Sequence, residues 1–276
     1  MSGFSGDWLA AREPADLRAR NADVRAAFCA HLREIAGRRG NRPLRVLDLG
    51  AGTGATMRAL SPHLGMPHLG VSVRWRLAEH DPALIALARD LAGRDGHEAE
   101  VVDADLSRGL SRDLIAGVDA VTTSAFLDLV SAGWIDGLAE TLKRAGLPFL
   151  AMLTYDGRQS LDPEHPFDET VRAAMAAHQG GDKGFGAALG PAAHAHASAR
   201  FRGEGYRVVE GMSDWQARPE ERAFQTMLVE GWAQAARETG AGASEVENWL
   251  ALRLTQIAQA RLVARVGHRD LAALPG

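Results

Sequence analysis

The stretch RVLDLGAGTG at residues 45–54 constrains the fold more than any other part of the chain. Its apolar run, residues 44–49, has the length and composition of a buried strand. Glycines follow at 50, 52 and 54. They let the backbone turn sharply and approach a ligand without a Cβ in the way. Residues 55–64 continue as helix, so the turn faces the free N–H groups of a helix N-terminus. Dinucleotide-binding folds use a related turn. Their third glycine comes one residue later, where this chain has Ala55, so that pattern is matched only permissively. Asp48, just before the turn, would repel a pyrophosphate and suits a cationic ligand better.

Strand and helix patterns alternate after this unit. Strands are expected at 75–78, 98–102, 120–123 and 148–154, with helices at 82–91 and 135–145. This alternation predicts a parallel sheet covered on both faces. Residues 7–39 read as one helix, with Pro14 in a first turn. Residues 65–70 are expected to form an extended loop and 156–165 a polar one. Further helices are expected at 167–178, 191–203, 219–237 and 244–260, with strands at 206–209 and 262–266. No internal repeat or long linker divides the chain. One domain is expected over 1–276: a helical cover at 1–43, a core at 44–155, and a substrate-side half at 156–276.

Partners are limited by charge. There are 31 Lys and Arg against 35 Asp and Glu, a formal net charge of -4, which disfavours strong nucleic-acid binding. The stretch holding Arg38, Arg39, Arg42 and Arg45 reads as a solvated helix end. The single cysteine, Cys29, permits no intramolecular disulfide and falls in an apolar helical pattern. The N-terminus lacks a basic start followed by an apolar run, and no apolar stretch is long enough to span a bilayer. A cytoplasmic location, with no membrane partner, is the default expectation.

Residues 48–54, Asp-Leu-Gly-Ala-Gly-Thr-Gly, resemble motif I of the class I S-adenosylmethionine (SAM)-dependent methyltransferases. Segments resembling the family's later motifs follow in order: Ala-Glu-His-Asp-Pro at 78–82, Asp-Ala-Asp at 103–105, and Thr-Ser-Ala-Phe at 123–126. The resemblance covers roughly residues 44–155. It implies a seven-stranded, mostly parallel, doubly wound α/β sheet of Rossmann-like type, with extra helices at the N-terminus and in the C-terminal half. It also implies SAM as cofactor, held by Asp48, Gly50, Ala51, Gly52 and Gly54. Glu79, beside His80, aligns with the acid that accepts the ribose hydroxyl hydrogens, which a carboxylate can do. Asp103, Ala104 and Asp105 align with the adenine segment, Asp103 being favoured as acceptor from the amino group. Ser124 lies where cofactor and acceptor meet.

The expected activity is methyl transfer to a small molecule. The alternatives are a non-catalytic SAM-binding sensor or accessory protein, and a nicotinamide-dependent oxidoreductase. The fourth-strand segment lacks the Asn/Asp-Pro-Pro-aromatic box of amino-directed adenine or glutamine methylation. A covalent cysteine mechanism is disfavoured because Cys29 precedes motif I. Asp128, Ser131 and Trp134 follow the fourth strand, and Asp128 is the catalytic candidate, able to hold or deprotonate an acceptor. No metal site is expected: His194 and His196, two apart, point to different faces of their helix. His165 and His178 read as structural or solvated. Residues 182–186, with Lys183 and Phe185 among glycines, suit a lid over a small anionic or aromatic substrate. Trp8, Arg12 and Arg18 could cover the cofactor, while Trp215 and Trp232 read as packing residues.

Overall fold

The computed structural model describes residues 5–39, 42–64 and 72–276; the expected loop at 65–70 lies outside them. At the centre of the sheet is β1 (Leu44–Leu49), whose sequence LRVLDL is buried at every position but one. It runs parallel to β2 (Val73–Glu79) on one side and to β4 (Ala120–Ser124) on the other. Beyond them lie β3 (Glu98–Asp103) and β5 (Phe149–Asp162), also parallel. The last strand, β8 (Val263–Leu274), is antiparallel to β5 and to β6 (Arg207–Met212). The order is β3-β2-β1-β4-β5-β8-β6, the seven strands expected, and a short β7 (Trp215–Ala217) adds to β8.

Alternation along β1 divides the core. Leu44 and Val46 belong to one apolar cluster, with residues of α1 (Gly6–Ala19), α2 (Ala22–Arg39), α3 (Ala55–Leu64), α9 (Arg222–Glu238) and α10 (Ala243–Ala258). Leu47 and Leu49 point the other way, with residues of α6 (Ala132–Ala145) and α8 (Ala193–Gly203). A two-residue side-chain period forces this split. Asp48 shares the parity of Val46 and so faces the α1–α2 side, 1% exposed. Strand order reverses between β1 and β4, and ligands of open α/β sheets bind beyond the carboxyl ends of strands at such a point. The glycine turn and Ser124 are both there.

Several expectations need correction. The helix expected over 7–39 is two helices, α1 and α2. Arg20 leaves helical geometry with ψ 126°. The Asn21 side chain then restarts the helix, its Oδ1 accepting from the N–H groups of Asp23 and Val24 at 3.1 Å each. Pro14 lies inside α1 rather than in a first turn. The polar loop expected at 156–165 is largely strand. Residues 159–162 of β5 pair with Val263–Val266 of β8 after irregularities in register. Partner strands override local polarity here, because β structure depends on its neighbours more than on intrinsic preference. For the same reason β8 runs to Leu274 rather than stopping at Val266. The helix α7 (Asp168–Gln179) matches its expected span within a residue or so.

Candidate functional site

The turn after β1 is left-handed at Gly50 (φ 59°) and Gly52 (φ 56°). A Cβ on Gly50 would stand 2.8 Å from Phe126 Cδ2, so both the dihedral and the space call for glycine. Glu79, at the end of β2, ties the turn down. Its Oε2 accepts from the Gly52 N–H at 2.8 Å, and its Oε1 accepts from the N–H groups of His80 (2.8 Å) and Asp81 (3.0 Å). Asp81 caps α4 (Pro82–Arg94) by accepting from the N–H groups of Ala83 and Leu84.

These elements border a cavity of about 580 Å³, within the usual range for small-molecule and cofactor sites. Gly50, Ala51, Gly52, Glu79, His80, Ala104, Asp105 and Ser124 all line it. Asp48, Gly54 and Asp103 are not on its wall. Gly54 closes the turn, its N–H donating to Ala51 O at 2.8 Å. Asp103 Oδ1 is 2.9 Å from His80 Nδ1 at the exposed rim, and this bond pushes the His80 pKa up. The Ala104 N–H donates to Glu79 O at 2.9 Å, and Asp105 accepts from the Ser107 N–H at 2.9 Å.

Asp48 is buried directly behind the turn. Thr122 Oγ1 donates to its Oδ1 at 2.7 Å, and its Oδ2 has no partner. Burial pushes its carboxyl up to about 7, against the opposing pull of the Thr122 hydroxyl and of the Arg20 guanidinium. The Ser124 hydroxyl is likewise buried without a partner.

The opposite wall was largely missed in the sequence. Leu9, Arg12, Asp16 and Arg20, on or just after α1, line the cavity. Only Arg12 was among the candidates. The signal was there: positions 12, 16 and 20 recur every four residues and share one helix face. Arg20 and Asp16 are 5% and 2% exposed. Burial lowers the Arg20 pKa, while Asp16, Asp270 and Asp48 favour its charged form; burial raises that of Asp16. Arg20 Nη1 approaches Met152 Sδ at 3.0 Å. Arg18 points elsewhere and pairs with Glu221 at 2.7 Å. Trp8 packs on Trp215 and Phe224.

Past β4 the cavity is apolar, lined by Phe126, Leu129 and Phe185. Phe185 meets Phe126 and Trp134 edge-on at 5.4 and 6.1 Å. Lys183 also lines this end, and its Nζ donates to His178 O at 3.2 Å. Asp128 is 8% exposed and lies behind the wall rather than on it. Burial pushes its carboxyl up to about 6, opposed by its own backbone N–H, that of Tyr155, and the Arg12 charge. One of its oxygens is buried and unpartnered. The remaining histidine candidates have separate partners: His178 with Glu238 at 3.1 Å, His194 with Glu210 at 3.5 Å, and His196 with Asp136 at 2.9 Å. His165 borders a separate, smaller cavity beside Trp232 and Trp249.

No family model matches this chain, and no curated protein matches its sequence. Solved structures do. A candidate methyltransferase from Bacillus halodurans superposes with a TM-score of 0.50 at 14% identity, over 91% of this chain and 100% of that one. The cyclopropane synthase MmaA2 from Mycobacterium tuberculosis gives 0.47 at 12% identity, over 98% and 94%. The YcgJ protein from Bacillus subtilis gives 0.47 at 14%, over 90% and 99%. At such identities the likeness is one of fold. Taken with the strand order and the position of the glycine turn, the chain has the Rossmann-like fold of the class I methyltransferases.

Proposed function

We propose that this protein binds SAM and transfers its methyl group to a small-molecule acceptor. The observation that carries this reading is the set of buried charges around the glycine turn. Asp16 Oδ1 and Arg20 Nε, from residues of the cavity wall, and Asp48 Oδ2, just behind it, are buried and lack hydrogen-bond partners. Buried polar atoms without partners are uncommon, and three at one end of the cavity fit a ligand that supplies them. Two carboxylates beside the Arg20 guanidinium match an amino acid's ammonium and carboxylate. Glu79, on the rim beside the turn, keeps one lone pair for a ribose hydroxyl beyond its three backbone bonds. The cofactor supplies an electrophilic methyl group on a sulfonium.

The chain's own groups do the rest. Asp48 and Arg20 orient the amino-acid end, and the Ser124 hydroxyl is available where β4 ends. Phe126, Leu129 and Phe185 keep water from the acceptor side, so that positioning supplies much of the rate. Asp128 is proposed to take a proton from an acceptor that reaches past Leu129. With a pKa of about 6 it is mostly ionised at neutral pH. A dinucleotide is disfavoured, because Glu79 already occupies the Gly52 N–H that a pyrophosphate would use.

Isothermal titration with SAM and with S-adenosylhomocysteine (SAH) tests the cofactor. Saturable binding of both is expected, and binding of neither would end the proposal. Methyl transfer across a metabolite library separates enzyme from sensor. With an active acceptor, Asp128→Asn should lower kcat by about a hundredfold and remove the fall in rate near pH 6. An unaltered pH profile would reject the role of Asp128.

A further inference from the structure

Two arginines reach the cavity from the same helix face, and they stand in different surroundings. Arg20 is fully buried on the side of Asp48, against Met152. Arg12 lies beside Trp215. Its Cζ sits 5.6 Å from the Trp215 ring centroid. That ring is held in turn by His268 at 4.4 Å, Phe224 at 5.4 Å and Trp8 at 6.3 Å. The guanidinium carbon therefore lies near a ring that three aromatic neighbours hold in place. Its Nε is 3.3 Å from Asp16 Oδ2, and Arg12 is also the charge that favours ionised Asp128. Neither carboxylate hydrogen-bonds its terminal amino groups. Among the described residues those groups have no hydrogen-bond acceptor, although the side chain is only 14% exposed.

A guanidinium stays charged in any protein environment, and its two terminal nitrogens form a planar fork that matches a carboxylate. A fork anchored at Nε, set beside a fixed ring, lining a cavity and unengaged at its terminal nitrogens, is a preformed half of a bidentate pair. Arg12 shares the cavity with the apolar surface of Leu129, Phe126 and Phe185. The geometry points to a second ligand subsite, in which Arg12 grips the carboxylate of the methyl acceptor and the apolar surface holds its body. The acceptor class is a small organic carboxylate with an apolar or aromatic frame. A carboxylate gripped by both oxygens is not the methylated group, so the reacting atom lies elsewhere on that frame. Arg20 and Asp48 are left to the cofactor. This division rests on the cofactor reading above.

The test uses the full-length chain, saturated with SAH and also free of it. Benzoate, phenylacetate, cinnamate and hexanoate are titrated in, each against its primary amide, with ligand-observed NMR and calorimetry as readouts. At least one carboxylate should bind, with its amide about tenfold weaker or worse. Arg12→Gln should weaken that carboxylate about tenfold or more while changing SAH affinity less than about threefold. Arg20→Gln should do the reverse. Arg12→Lys retains the charge but not the fork, and should weaken the carboxylate about tenfold with the fold intact; it carries the test if Arg12→Gln fails to fold. The subsite is overturned if amides bind as well as acids, if no carboxylate binds, or if Arg12→Gln weakens SAH as much as the carboxylate. Failure of SAH to bind the wild-type chain would instead strike the cofactor reading, and the titrations without SAH would still decide the role of Arg12.

Discussion

Asp48 has a strongly perturbed carboxyl. It is a carboxyl inside a hydrophobic strand, with one hydroxyl donor and one orphan oxygen. Its folded pKa of about 7 lies above its ordinary value of 3.8. The unfolded chain therefore loses this proton first as pH rises, so the group's contribution to stability is full below about 3.8 and is lost as pH rises through about 7. The rise corresponds to roughly 4 kcal/mol at most. Asp48→Asn should raise the melting temperature of the ligand-free protein at pH 8, with the gain vanishing near pH 4. An equal gain at both pH values would contradict the assigned burial cost. Pairing with an ammonium requires the ionised form, so SAH should bind more tightly as pH rises from 6 to 8. It should also release a proton on binding at pH 6, and Asp48→Asn should abolish both effects. The sequence made Asp48 visible as an acid beside a glycine turn. Its protonation was not legible, because that depends first on burial of the carboxyl by elements from distant parts of the chain, which Thr122 and Arg20 only partly offset.

At the scale of elements, the break between α1 and α2 decides how the cavity is walled. A continuous helix would carry residues 6–39 straight on. Instead the chain turns at Arg20, and Asn21 caps α2. Asn21 also reaches out, its Nδ2 donating to Met212 O at 3.0 Å. Asn21→Ala should cost about 1 to 2 kcal/mol from the lost cap and tether. Because α1 carries Asp16 and leads directly into Arg20, SAH affinity should fall with it. A stability loss with unchanged SAH affinity would show that the cap does not position the wall. The helical pattern through Leu17, Val24, Phe28 and Leu32 hid this break, since apolar periodicity reports faces and is blind to a one-residue stop. Only the change of backbone angle at Arg20 reveals it.

Over the whole molecule, one buried carboxylate joins both ends of the chain to its middle. Asp270 Oδ1 accepts from the Leu153 N–H, and its Oδ2 from the Asn21 N–H, each at 2.7 Å. It thereby links β8, the irregular part of β5 and the helix break. Asp270→Ala would strand two backbone donors and should destabilise the fold by about 2 to 5 kcal/mol, read as a shift of the urea midpoint. A change below about 0.5 kcal/mol would mean these bonds are replaced by water.

The sequence by itself determined the glycine turn, the acids at the ends of β1 and β2, and the parallel order of the first five strands. These follow from local rules: glycine for left-handed dihedrals, apolar runs for buried strands, and alternation with helices for parallel pairing. Only the tertiary structure decided the arginine-bearing wall, the long β5–β8 pairing and the perturbed state of Asp48. Each depends on contacts between residues distant in the chain, such as Arg20 with Met152, Leu153 with Asp270 and Asp48 with Thr122. No local pattern encodes the low-dielectric surroundings that such contacts create.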